Sequence, residues 1–426
     1  MSTIEKSWIT SANQPSCPFP LQNLPYGVFR APEGKGHCCV AIGEFLVDLS
    51  TLEGAGLLDL GCQPGLFGQA SLNRLMAQGE QVWRIVRKRI TELLAKNGDP
   101  ALRDNDALRR DAIHSQAGAS MLMPFEVSEY TDFYAGKNHA ENVSQILRGE
   151  RELAPNWLSM PIAYNGRASS IVVSGAGIRR PLGQIKPQDA DLPILSPTRQ
   201  LDFELELGAV IGTPSPVGQP LRMSDAQKMI FGFVLLNDWS ARDIQAWEYR
   251  PLGPFQSKAF ATSISPWVVT SEALEPFKVM AQQRERPLLP YLQETGPTLY
   301  DIDLEVGLAP GGIGQATVIS RTNYRQLYYS APQLLTHHAI GGCGMRTGDL
   351  LGSGTISGME PDSFGSLLEL SHGGREPIRL SNGEMRSFLE DGDRLTLSGT
   401  AHGADYCIGF GKCTGRVLPA HEEGDW

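Results

Sequence analysis

Leu201-Asp-Phe-Glu-Leu-Glu-Leu207 alternates apolar and acidic residues without a break. A β-strand has a side-chain period of two. The stretch therefore predicts Leu201, Phe203, Leu205 and Leu207 on one face and Asp202, Glu204 and Glu206 on the other. Acids aligned along one face repel each other. A divalent cation held by oxygen ligands offsets that repulsion; a solvated strand face is the plain alternative. Downstream lies Asn237-Asp-Trp-Ser-Ala-Arg-Asp-Ile-Gln-Ala-Trp-Glu-Tyr249, directly after the apolar run 231–236. Asp238 stands where a strand ends and a helix begins, either as a further metal carboxylate or as the helix N-cap. A helix from 238 places Arg242, Gln245 and Tyr249 along one side, with an Asp238–Arg242 ion pair as the ordinary alternative.

A second polar cluster is Tyr130-Thr-Asp-Phe-Tyr-Ala-Gly-Lys-Asn-His139. Asp132 and Tyr134 are two apart, and His139 follows a Gly-containing turn. No HExxH pattern marks a zinc site. His337 and His338 are adjacent, so they fall on different faces and read as structural. Lys258 and Thr262 follow Pro254-Phe255. The Gly-rich stretch 348–358 lacks the Lys of a P-loop and opens no dinucleotide fold; its glycines let backbone approach a ligand. No G-x-S-x-G elbow indicates an ordinary serine hydrolase.

The surrounding chain sets the class. Its 426 residues, with a formal net charge of -10, allow two or three domains and argue against a nucleic-acid partner. Hydrophobic residues make up 41%, enough for a substantial core. The 46 Gly and 29 Pro predict many turns and more strand than helix. The first thirty or so residues show no secretory pattern, and the most apolar stretch, 229–236, is too short to span a bilayer. The seven cysteines (17, 38, 39, 62, 343, 407 and 413) are irregularly spaced with no CxxC pair, as expected of reduced cytoplasmic thiols. Residues 1–117 read as a small β-barrel followed by helices over 72–96 and 101–117. From 118 to 426 short strands dominate, at 170–174, 201–211, 231–236, 267–270, 300–306, 316–321, 350–353, 366–370 and 394–398, a pattern of a sandwich or roll. The polar segment 278–293 reads as a surface excursion.

These residues carry a resemblance. The stretches Leu21-Gln-Asn-Leu-Pro-Tyr-Gly-Val-Phe29, Asp132-Phe-Tyr134, Gly166-Arg-Ala-Ser-Ser-Ile-Val-Val-Ser-Gly175, Asn237-Asp-Trp-Ser-Ala-Arg-Asp-Ile-Gln245, Trp247-Glu-Tyr249, Pro251-Leu-Gly-Pro-Phe255, Ser353-Gly-Thr-Ile-Ser-Gly358 and Gly409-Phe-Gly-Lys-Cys413 resemble the fumarylacetoacetate hydrolase family nearly end to end. The resemblance implies a mainly β (α+β) fold: a small SH3-like N-terminal β-barrel, then a β-sandwich roll of the fumarylacetoacetase type, paired as a cytoplasmic homodimer. It implies hydrolysis of the carbon–carbon bond of 4-fumarylacetoacetate to fumarate and acetoacetate, the last step of tyrosine and phenylalanine catabolism. By position, Asp132, Glu204, Glu206 and Asp238 match ligands of Ca2+. Lys258 and Thr262 match a second, Mg2+ site, where Lys258, whose side chain offers donors only, enters through its backbone carbonyl. Tyr134, Arg148, Gln245, Tyr249 and Thr355 match substrate contacts. His139 matches the base and Glu369 the acid that orients it. The chain departs from the family at Asn165, where a His is common.

On this reading His139, with an ordinary pKa of about 6.5, takes a proton from water. Glu369 fixes its tautomer, and Arg242, Gln245 and Lys258 face the oxyanion. Two other readings compete: a related superfamily enzyme such as an acylpyruvate hydrolase or decarboxylase, and a metal-stabilised protein whose acids only hold the fold.

Overall fold

The alternation over 201–207 is realised as two strands, Leu201–Asp202 and Leu205–Ile211. The computed structural model describes residues 4–31, 33–59, 61, 64–187, 189–312 and 314–422; Cys62 lies outside them. At the break, Phe203 N donates to Asp202 Oδ1 at 2.8 Å and Glu204 N to Asn237 Oδ1 at 3.1 Å. Two backbone donors thus leave the ladder for side-chain acceptors. Every residue from 201 to 207 is buried, which rules out a solvated acidic face.

Leu205–Ile211 lies inside an eight-stranded mixed sheet. Its order is Ala163–Asn165, Tyr130–Phe133, Leu350–Gly352, Leu205–Ile211, Ile230–Asp238, Thr262–Ile264 and Ile171–Val173, with Val269–Thr270 also pairing to Ile230–Asp238. The register aligns Asp132 with Gly352, Gly352 with Gly208, and Asp238 with Thr262. Alternation then separates two faces. Leu205, Leu207, Phe233 and Leu235 join a core shared with a five-stranded sheet built on Asp303–Ala309, Arg394–His402 and Cys407–Leu418. Tyr130, Val210, Val234, Leu236, Ile264 and Leu350 face the other way. They pack with Val28, Val40, Leu72, Trp83 and Ile90 from the first hundred residues.

The N-terminal part carries an antiparallel four-stranded sheet, Tyr26–Arg30, Gly36–Ile42, Phe45–Asp48 and Ile113–Ser115. The expected helix over 72–96 is two helices, Asn73–Met76 and Glu80–Leu94, because Gly79 between them takes φ +86°. The expected helix over 101–117 is likewise split into Pro100–Arg103 and Asp106–Ala112, where the Asn105 side chain caps Leu108 N at 3.1 Å, and the chain then turns into a strand. Residues 366–370, expected as a strand, form the short helix Leu367–Leu370 with Ser366 as N-cap. The segment 278–293 is no loose excursion. Arg284 donates to Glu294 and Gln333 and lies 4.6 Å from the Tyr328 ring centroid, and Leu288 and Leu292 are buried. The architecture is mixed α+β, and the six described cysteines are free.

Candidate active site

At one end of the eight-stranded sheet, Asp132, Glu204 and Glu206 bring buried carboxylate oxygens within 4.8 Å of one another. Gly352 makes this approach possible: a Cβ there would lie 2.9 Å from Glu206 Oε2, 3.0 Å from Asp132 Oδ1 and 3.1 Å from the Tyr130 hydroxyl. Glu206 Oε2 accepts from Gly354 N at 3.0 Å. Asp132 Oδ1 and Glu206 Oε1 find no hydrogen-bond partner among the described residues. Burial, and then the neighbouring acids, push the pKa of both groups well above the ordinary carboxylate range. Buried oxygens with no donor to satisfy them, set among like charges, form a donor set that suits a hard divalent cation.

Asp238 ends the strand Ile230–Asp238 and is fully buried. It accepts from Thr262 Oγ1 at 2.9 Å, Tyr164 Oη at 3.0 Å and Lys258 Nζ at 2.8 Å. It is not a helix N-cap: the helix Arg242–Glu248 begins later, after Ala241. Lys258 also pairs with Glu204, so its ammonium bridges two of the expected ligands. Burial works against that ammonium, but Asp238 and Glu204 outweigh it and raise its pKa. Burial likewise opposes the Glu204 carboxylate, yet Lys258 and Arg242 bring it down to about 2.

Arg242 pairs with Asp202 and Glu204, each at 2.8 Å, rather than with Asp238. Burial opposes its charge, and those two acids raise its pKa nonetheless. Its Nη1 also donates to Gln245 Oε1 at 3.1 Å, while its buried Nη2 has no partner among the described residues. Asp202 is therefore the partner of Arg242 and no part of the acid cluster. Lys258 owes its place to Glu248, whose carboxylate accepts from Phe255 N, Gln256 N and Ser257 N at the start of the helix Gln256–Ala259. Glu248 thus ties the Trp-Glu-Tyr segment to the end of the Pro-Leu-Gly-Pro-Phe segment by satisfying amides that a helix start leaves unpaired.

His139 sits in the first turn of the helix Lys137–Arg148, and its Nδ1 is 2.7 Å from Glu369 Oε2. Glu369 also accepts from Ser357 and Ser366 hydroxyls and from Asn142 Nδ2. Although burial opposes its charge, His139 and these donors hold its pKa below the ordinary value. An ionised Glu369 only accepts, so Nδ1 carries the proton of this hydrogen bond and Nε2 is the ring nitrogen turned away from Glu369. The Tyr134 ring meets the imidazole edge-on at 5.4 Å. An imidazolium at His139 would favour the Glu204 carboxylate, which ties this pair to the acid cluster.

Not every expected residue lies so close. Thr355 is buried, its Oγ1 has no partner among the described residues, and its carbonyl packs against Gly136 ahead of His139. Arg148 is exposed at the end of its helix, though its charge acts on Tyr134. Tyr249 is half-buried with the Arg250 guanidinium 5.1 Å from its ring centroid. Asn165 is exposed, and its neighbour Tyr164 is the one that reaches Asp238.

Sequence reasoning missed Tyr164, Asn142, Glu248 and the two serines on Glu369. Ser366-x-x-Glu369 is a capping signature that marks a helix start, and Asn142 lies one turn from His139, on the same helix face.

Comparison with known proteins follows the same outline. The family profile described as fumarylacetoacetate (FAA) hydrolase C-terminal matches residues 129–418, and that described as fumarylacetoacetase N-terminal matches residues 22–124. The chain is 49% identical over 407 residues to fumarylacetoacetase of Arabidopsis thaliana, covering 94% of this chain and 96% of that protein. It is 47% identical over 406 residues to fumarylacetoacetase of Homo sapiens, with the same coverage. In three dimensions it is similar to fumarylacetoacetate hydrolase from psychrophilic Exiguobacterium antarcticum, with a TM-score of 0.55 and 17% identity over 93% of this chain and 100% of that one; this likeness concerns the fold alone. With both regions matched in order and relatives aligned along nearly its whole length, the chain belongs to the fumarylacetoacetate hydrolase family.

Proposed function

We infer that the chain is a metal-dependent hydrolase that cleaves the carbon–carbon bond of 4-fumarylacetoacetate to give fumarate and acetoacetate. The observation that carries this reading is the His139–Glu369 pair set beside the buried acids. Relatives named fumarylacetoacetase, aligned nearly end to end, supply the substrate.

His139 Nε2 takes the proton of the attacking water, while Glu369 holds the Nδ1 proton and offsets the imidazolium charge. Water oxygen bonds to the carbonyl carbon, and the new oxyanion meets Arg242, Gln245 and Lys258. Arg242 Nη2 is a buried donor with its hydrogens unengaged among the described residues, as an oxyanion contact requires. The carbon–carbon bond then breaks, the electron pair leaves with the acetoacetate carbon, and the imidazolium returns its proton there. When bound, Ca2+ or Mg2+ on Asp132, Glu204, Glu206 and Asp238 supplies Lewis-acid polarisation of the diketone. Thr262 and Lys258 border that site. Tyr134, Arg148, Tyr249 and Thr355 receive the substrate, the arginine gripping a carboxylate.

The same reading takes 1–117 as an SH3-like N-terminal domain with linking helices and 118–426 as the catalytic roll. It also takes the assembly as a cytoplasmic homodimer. Among the described residues no helix is long and apolar enough to cross a membrane.

The test follows the ultraviolet absorbance of the conjugated diketone. Wild type with added calcium or magnesium is expected to consume it, and folded His139→Ala to be slower by about a hundredfold or more. No consumption by wild type refutes the activity. Unimpaired His139→Ala, with Glu204→Ala merely less stable, returns the case to acids that only hold the fold.

A further inference from the structure

We propose that Asp202 is a positioning residue that holds the oxyanion donor Arg242 and the turn bearing Glu369 in one frame. The proposal rests on the hydrolytic reading. Asp202 is a fully buried carboxylate that stands outside the acid cluster. Each of its oxygens takes two donors. Oδ1 accepts from Phe203 N at 2.8 Å and Leu367 N at 2.7 Å. Oδ2 accepts from Arg242 Nε at 2.8 Å and Leu368 N at 2.9 Å. An ionised carboxylate has about four lone-pair positions, so this one is saturated.

The donors come from two catalytic neighbourhoods. Leu367 and Leu368 open the turn Leu367–Leu370, and Glu369 is the next residue. Their amides would otherwise be orphans of a helix start. Glu369 in turn holds His139. On the other side, the same guanidinium that Asp202 grips by Nε reaches Glu204 and Gln245 with Nη1. A path of hydrogen bonds, joined through the Leu368–Glu369 backbone, therefore runs from the water-activating imidazole to the oxyanion donor, with one aspartate at its centre. The distance between base and oxyanion donor is what a hydrolytic site must keep fixed. Only a short carboxylate serves: asparagine replaces one acceptor with a donor, which would meet Arg242 or an amide N–H head-on in a buried place.

In the full-length protein with calcium or magnesium, Asp202→Asn is expected to lower kcat by about thirtyfold or more with KM within about threefold. Paired with Arg242→Lys, or with Glu369→Gln, it is expected to cost a clearly smaller factor than alone, since part of its effect runs through the group already altered. The full factor in either background, or wild-type kcat in folded Asp202→Asn, overturns the proposal.

A second measurement needs neither turnover nor that variant to fold. Arg242 hydrogen-bonds toward the turn only through Asp202 among the described residues. Arg242→Gln is expected to speed hydrogen exchange in peptides covering 366–370 by about tenfold. Unchanged exchange there overturns the linkage. Wild type inert toward the diketo acid would instead sink the hydrolytic reading, and the exchange result would still decide whether Asp202 couples the two elements.

Discussion

At Gly352 the absence of one methyl group lets Asp132 and Glu206 share a buried space, since a Cβ there would lie 3.0 Å or less from an oxygen of each. Gly352→Ala forces those carboxylates apart. Isothermal titration is expected to show calcium and magnesium affinity falling by more than about tenfold, with the fold retained; unchanged affinity would remove Gly352 from the cation site. The same acids dictate a pH dependence. Glu204, at about 2 when folded against about 4.3 when unfolded, contributes stability that is complete above the unfolded value and is lost as the pH falls through the folded one. Glu369, also lowered, acts in the same direction. Asp132 and Glu206 have the opposite sign, because their raised pKa values make ionisation costly in the fold. Their penalty grows as pH rises from the unfolded values toward the raised folded ones, and a cation that needs both ionised relieves it. Calcium is therefore expected to raise Tm, against a chelator control, more at about pH 8 than at about pH 5.5. A shift equal at both would contradict the coupling.

Among elements, the segment 278–293 is anchored by the half-buried Arg284, which makes its stability testable. Arg284 donates to Glu294 at 3.2 Å and to Gln333 at 2.9 Å, and its guanidinium covers Tyr328 and Tyr329. Glu294 is nearly buried, so removing the arginine leaves its charge without an ionic partner. Arg284→Ala is expected to cost about 3 kcal/mol locally, seen as faster proteolysis within 278–294 while the rest stays intact. Resistance equal to wild type would show that Leu288 and Leu292 suffice. This segment was illegible in the sequence because polar residues mark solvent on average and give no sign of a buried partner such as Gln333. The sheet strands were more legible. The stretch 205–211, apolar but for Glu206, and the apolar run 230–236 are long, and Asp238 ends its strand as the pattern implied. The breaks were less so. Apolar residues at 366–370 suggested a strand, yet Ser366 and two amides on Asp202 close a helical turn there. Cys407–Leu418 is the longest described strand, but its glycines and alternating small residues hid it. The acids suggested a cation from their alternation, and motif resemblance supplied the full set of expected ligands and the expected base; Tyr164 and Glu248 act through contacts across the fold that spacing alone does not carry.

In the whole molecule, the N-terminal part covers the face of the eight-stranded sheet that carries Glu206. Glu206, Gly208 and Val210 alternate along one face, and the register sets them beside Leu236, Val234 and Gly232. The strand thus has the Glu206 carboxylate at one end and, on the same side, Val210 packed with Val28, Leu72 and Trp83. Read as sequence, residues 1–117 looked self-contained. The run 230–236 is apolar on both faces, so its composition gave burial without saying what buries each side. The shared core has an energetic consequence. Removing residues 1–117 would expose Phe231, Val234, Leu236, Val268 and Leu350, all buried. At about 1.5–3 kcal/mol for each large apolar side chain, the loss is of order 10 kcal/mol, comparable to the whole stability of a typical protein. Residues 118–426 expressed alone are therefore expected to aggregate, or to bind a hydrophobic dye and melt without a cooperative transition. Supplying residues 1–117 in trans at high concentration is expected to restore part of that cooperativity, because the two pieces meet through a continuous apolar surface. A truncated protein that stays monomeric, melts sharply and binds calcium like the full chain would show that the eight-stranded sheet does not depend on this cover.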